Sequence, residues 1–97
     1  MIVRYTARAL RDLEAISDYL THRSPQGARN VRSAIQNTIA QLEQFPNLGR
    51  AQSINGVYKL VMSQYPYLVY YGLSIETGEV RILTIQHAAR EREFDDA

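Results

Sequence analysis

The apolar residues of this chain change period half-way along it. In the first half they recur every three or four positions, as Leu10, Leu13, Ile16 and Leu20, then Ala28, Val31, Ile35, Ile39 and Leu42. In the second half they fall into short runs rich in β-branched and aromatic residues, at 57–63, 67–74 and 79–86. The first spacing makes one apolar stripe along a helix; the second makes strands. A chain that switches in this way folds as helices laid on a sheet.

Local signals mark where each element begins and ends. Residues 1–5 read as a short strand, with Ile2, Val3 and Tyr5 as its apolar side chains. Thr6 suits the N-cap of a helix over 6–23, since its hydroxyl can accept a free backbone N–H of the first turn. Arg8, Arg11, Glu14 and Asp18 fall mostly off that helix's apolar stripe. Ser24-Pro25 starts a second helix, because serine caps and proline suits the first helical position. Pro46 ends it by disfavouring helical geometry at Phe45. Two helices joined by so few residues form an antiparallel hairpin. Neither persists without a surface to cover.

The second half supplies that surface. Asn55-Gly56, Gln64-Tyr65-Pro66 and Glu76-Thr77-Gly78 are turn signals between the three apolar runs. Strands joined by such short turns are antiparallel neighbours. Tyr58, Leu60 and Met62 share one side of the first. Tyr70 and Tyr71 sit on alternate faces of the second, so at least one faces the helices. The expected fold is a two-layer α+β domain over 1–97: an N-terminal strand, an αα-hairpin on a small antiparallel meander, and a charged tail from His87 onward.

Composition narrows the chemistry. At 97 residues the chain buries roughly 60–65% of its unfolded surface, which builds one modest core and no housing for a large cofactor. It contains no cysteine, which excludes disulfides, Cys-bound zinc, iron–sulfur clusters and a thiol nucleophile. Neither His22 nor His87 is read as a metal ligand, so no metal or other cofactor is expected. There is no Gly-rich phosphate loop and no G-x-S-x-G nucleophile elbow. The longest uncharged run, from Leu60 to Ile75, is shorter than the roughly 20 residues of a spanning helix, and Pro66 and Gly72 interrupt it. The charged residues of the first twenty positions also exclude a signal-peptide segment. A cytoplasmic location is expected.

Charge is unevenly distributed although the net charge is only +1. Between Tyr19 and Ile75 the bases are Arg23, Arg29, Arg32, Arg50 and Lys59, against the single acid Glu43. The tail carries Glu91, Glu93, Asp95 and Asp96 beside Arg90 and Arg92. The middle of the chain therefore attracts an acidic partner. Where the last strand ends, His87, Arg90 and Arg92 cluster, a group suited to acid–base work or to binding phosphate. Five of the seven tyrosines lie between residues 58 and 71, where they can pack across strands, stack on bases or anchor an interface.

Three segments in this order resemble a known family. They are Ala9-x-x-Asp12-Leu13-x-x-Ile16, Phe45-Pro46-Asn47-Leu48-Gly49-Arg50, and Val80-Arg81-Ile82-Leu83-x-Ile85-x-His87-Ala88-Ala89-Arg90. With the element order, they make the chain similar to the RelE/ParE superfamily of bacterial toxins from type II toxin–antitoxin modules, over nearly its whole length. The second segment and the closing His-Ala-Ala-Arg are closer to the ParE branch. That resemblance implies a non-enzymatic poison of DNA gyrase, neutralised in a hetero-oligomer by a ParD-like antitoxin with an acidic tail. Candidate target-binding residues are then Arg50, Tyr67, Arg81, His87, Arg90 and Arg92.

The alternative within the superfamily is the RelE-like branch, whose members cleave mRNA on the ribosome. Their middle meander strand usually starts with an arginine. Tyr67 stands there instead, ahead of Leu68-Val69-Tyr70. Lys59, Arg81, His87 and Arg90 are the substitutes such a ribonuclease would draw on. A third expectation is a non-toxic module that retains only antitoxin binding. For the antitoxin, a helical hairpin on a small sheet leaves a groove and a sheet edge that suit a partner's helix or strand. Arg11, Arg29 and Arg32 on the helices and Lys59 on the first meander strand are the candidate contacts for its acidic tail.

Overall fold

A computed structural model describes residues 1–90 of the chain. The elements run β1 (Ile2–Tyr5), α1 (Ala7–Thr21), α2 (Pro25–Ala40), a 3₁₀ turn (Gln41–Glu43), β2 (Arg50–Ala51), β3 (Val57–Val61), β4 (Tyr67–Ser74), β5 (Glu79–His87) and a 3₁₀ turn (Ala88–Arg90). Both expected caps are present. Thr6 Oγ1 accepts the N–H of Ala9 at 3.1 Å, and Ser24 Oγ accepts that of Gly27 at 3.0 Å. The expectations for the tail beyond Arg90, Arg92 included, lie outside the described residues.

The three-strand meander is extended on both sides. The sheet order is β1-β5-β4-β3-β2. β1 joins β5 in parallel, with Arg4 beside Arg81 and Tyr5 beside Ile82. β2 is a two-residue strand antiparallel to β3, setting Arg50 opposite Lys59. The sheet is therefore mixed rather than wholly antiparallel. A two-residue strand is too short to leave a period in the sequence.

Both helices cover one face of this sheet. Leu13, Ile35, Ile39 and Leu42 pack there with Leu60, Met62, Val69, Tyr71, Val80, Ile82 and Ile85. Each such side chain contributes roughly 1.5–3 kcal/mol when fully buried. Leu10 departs from its expected place in the stripe and is 50% exposed. Ala9 takes that position, one residue round the helix, and is fully buried. Tyr71 lies in the helix-side core, while Tyr70 is buried on the opposite face with Val57 and Leu68.

Two devices lock the layers together. Pairing of β4 with β5 shifts between Tyr70↔Thr84 and Tyr71↔Ile82, leaving Leu83 as an extra residue. Such a bulge disrupts the hydrogen-bond ladder locally, and α1 bonds to β5 there. Thr6 Oγ1 donates to the carbonyl of Ile82 at 2.7 Å. Asp12 accepts from the Thr84 hydroxyl at 2.6 Å and from the Ile85 N–H at 3.0 Å. The second device holds the segment before β2. The Tyr71 hydroxyl donates to the Pro46 carbonyl at 2.7 Å and accepts the Gly49 N–H at 2.9 Å. A Cβ at Gly49 would lie 2.9 Å from the Lys59 carbonyl and from the Tyr71 ring, so only glycine fits. The Pro-Asn-Leu-Gly run is thus the wrapping around one buried tyrosine.

Candidate functional site

A cleft of about 760 Å³ lies between the second half of α1 and the ends of β4 and β5. Ala15, Ile16, Tyr19 and Leu20 of α1 form one wall, and Val31 of α2 closes it behind. Tyr65, Pro66, Tyr67, His87, Ala89 and Arg90 form the other. Arg23 stands at the rim with its guanidinium 4.8 Å above the centre of the Tyr19 ring, a cation–π contact.

Strand register builds the inner wall. Pro66 ends the preceding turn, so β4 begins at Tyr67, and Tyr67 pairs with His87 at the end of β5. Their rings meet edge to face, 5.3 Å apart at 82°. The Ala88 N–H donates to the Pro66 carbonyl at 2.7 Å, tying the exit of β5 to that turn. His87 Nδ1 accepts the Ala89 N–H at 3.0 Å. The neutral ring therefore carries its proton on Nε2. Burial, with the nearby Tyr19, raises the Tyr67 phenol above its ordinary range. It stays protonated at neutral pH.

The cleft thus gathers three of the expected target-binding residues, Tyr67, His87 and Arg90. The other candidates among the described residues stand elsewhere. Arg81 lies on the opposite face of the sheet, six residues back along β5 from His87, or about 20 Å. Arg50 and Lys59 also face that outer side, at the β2 edge. Lys59, Arg81, His87 and Arg90 are consequently divided between two faces rather than converging. Of the candidate antitoxin contacts, Arg11 is exposed on α1. Arg29 donates to Gln26 Oε1 and Arg32 to Glu14 Oε1, each at 2.7 Å. Lys59 shares no surface with these three.

Sequence reasoning missed the cleft's outer wall. Tyr19 and Arg23, four residues apart on one helical face, were the legible sign of it. Asp12 stands in the sequence only as part of a family-like pattern, and its role needs the bulge in β5, which no local signal announces.

Comparison with known proteins decides the family. A profile described as the ParE toxin of the type II toxin–antitoxin system parDE matches residues 3–92. The chain belongs to the ParE toxin family. It is 34% identical over 89 residues to the protein Y4kP of Sinorhizobium fredii, covering 92% of this chain and 90% of that one. It is 35% identical over 88 residues to the toxin RelE2 of Caulobacter vibrioides, covering 91% and 96%. Among solved structures, the chromosomal ParDE system from P. aeruginosa aligns with a TM-score of 0.79 and 28% identity, over 90% of this chain and 95% of that one. The isolated E. coli RelE toxin aligns at 0.71 with 15% identity, over 93% and 86%, a likeness of fold alone. As a member of the wider RelE/ParE superfamily, the chain is a toxin of the type II toxin–antitoxin class.

Proposed function

We propose that this ParE-family toxin acts by binding DNA gyrase, without catalysing a reaction, and that a ParD-like antitoxin neutralises it in a cytoplasmic hetero-oligomer. The observation that carries the reading is the composition of the cleft. It presents aromatic and aliphatic walls, Arg23 and Arg90 as cations, and no carboxylate among its described lining. Its titratable groups include the Tyr67 phenol, raised by burial, and a histidine whose Nδ1 accepts a backbone N–H. That arrangement suits contact with a partner's surface better than proton transfer. The ParDE likeness of fold agrees with it. Gyrase supercoiling in vitro tests the reading. Inhibition by stoichiometric folded toxin, relieved by the antitoxin, is expected; undiminished supercoiling overturns it.

The similarity to the toxin named RelE2 favours a second reading, mRNA cleavage on the ribosome. Primer extension in a translating extract separates the two, because new mRNA ends appear only under the second. Normal growth after induction without antitoxin, together with the absence of both effects, identifies a module that has kept only its partner.

A further inference from the structure

The outer face of the sheet carries a second, smaller concavity of about 310 Å³, remote from the cleft. Gly72 of β4 lies at its floor, and Arg81 stands beside it at the paired position of β5. Asn55, in the turn before β3, and Ser74, at the end of β4, contribute polar groups, while Ile54 and Leu83 are apolar walls.

Two observations set this pit apart. The first is the glycine. Gly72 has no positive φ, and a Cβ there would meet its nearest atoms, the Gly56 carbonyl oxygen and Leu83 Cδ1, only at 3.9 Å. Neither backbone conformation nor packing requires glycine, in contrast to Gly49. A glycine inside a strand weakens it, and such positions often mark the close approach of a ligand. What Gly72 provides is an open floor. The second observation is charge. Arg81 is exposed and has no ion-pair partner among the described residues, whereas its neighbour Arg4 is engaged by Glu79. No carboxylate is among the residues that line the pit.

We propose that the pit binds a carboxylate carried on a small apolar group. Arg81 supplies a forked, permanently charged donor pair. Asn55 and Ser74 supply neutral hydrogen bonds, and the apolar walls take the stem. One guanidinium matches the single charge of a carboxylate, while a phosphate dianion would leave a charge unmatched. This inference does not rest on the toxin's target.

The test is NMR titration of the full-length, nitrogen-15-labelled protein with benzoate and, separately, phenyl phosphate. Benzoate is expected to shift the backbone amides of Asn55, Gly56, Ser74 and Arg81 saturably. Arg81→Gln should weaken binding by at least about tenfold, the loss expected for a hydrogen bond to a charged group. Gly72→Ala should weaken it by occupying the floor while leaving the thermal midpoint close to that of the parent. Weaker binding of phenyl phosphate supports the carboxylate assignment; tighter binding overturns it. The proposal also fails if benzoate gives no saturable shift, or if the shifts survive Arg81→Gln unchanged.

Discussion

The carboxylate of Asp12 on α1 accepts the hydroxyl of Thr84 at 2.6 Å, at the register shift in β5. The same oxygen takes the N–H of Ile85 at 3.0 Å. A helix side chain thereby satisfies groups that stand where the strand ladder is irregular. Thr84 is 1% exposed, so its hydroxyl has no access to water in exchange. The bulge and the acid are complementary parts of one joint.

Removing the acid leaves those donors unpaired. Asp12→Ala should lower unfolding stability by about 1–3 kcal/mol, the cost of orphaned buried polar groups. Asp12→Asn should cost less, since its amide oxygen still accepts. Urea titrations of the three proteins would check both, with an unchanged slope indicating that the native state stays compact.

The Tyr71 clamp on the Pro46–Gly49 loop is open to a similar experiment. Tyr71→Phe keeps the ring stacked on Tyr58, whose centre lies 5.4 Å away. It deletes the bonds to Pro46 and Gly49. A loss of about 1–2 kcal/mol is expected, with faster hydrogen exchange at the Gly49 amide. Gly49→Ala should be more damaging, because its new methyl meets backbone as well as the ring.

Alkaline pH acts on the same groups. Burial raises the phenols of Tyr5, Tyr67 and Tyr71 above the ordinary value of 10.0. For Tyr71 the Gly49 hydrogen bond lowers it in part and Tyr58 raises it further. The folded state therefore holds these protons more tightly than the unfolded chain. Their contribution to stability is complete below pH 10 and is lost as pH rises through the folded-state values. Thermal midpoints should fall above pH 10, and Tyr71→Phe should soften that fall.

At the cleft, His87→Leu deletes the acceptor for the Ala89 N–H and loosens the turn that carries Arg90. Arg90→Ala deletes the charge alone. If the proposed gyrase contact uses this wall, both should weaken inhibition by about tenfold or more, the effect of losing an interface anchor. Supercoiling assays at matched protein concentration give the ratio, and circular dichroism verifies the fold.

The surface pair Glu14–Arg32, at 2.7 Å, should contribute little. Both side chains are partly exposed. A double-mutant cycle is expected to give no more than about 1 kcal/mol, declining with added salt.

Much of this architecture was legible because it depends on neighbours in the chain. The helical stripe from Leu13 to Leu20, the caps Thr6 and Ser24, and the turns around Gly56 and Gly78 each report on a few adjacent residues. The layered α+β order follows from them, and so does the placement of Tyr67 and His87 at strand ends.

Other features had no local signal. The parallel seat of β1 beside β5 joins residues nearly eighty positions apart. The division of Arg81 from His87 depends on strand direction together with the face each side chain takes. The burial of both Tyr70 and Tyr71 depends on what covers each face of β4. Sequence by itself determined which segments become helix or strand, because backbone preference and side-chain period are local. Only the tertiary structure decided which side chains share a surface, because strand pairing, a one-residue bulge and helix packing set those distances between parts of the chain that carry no record of one another.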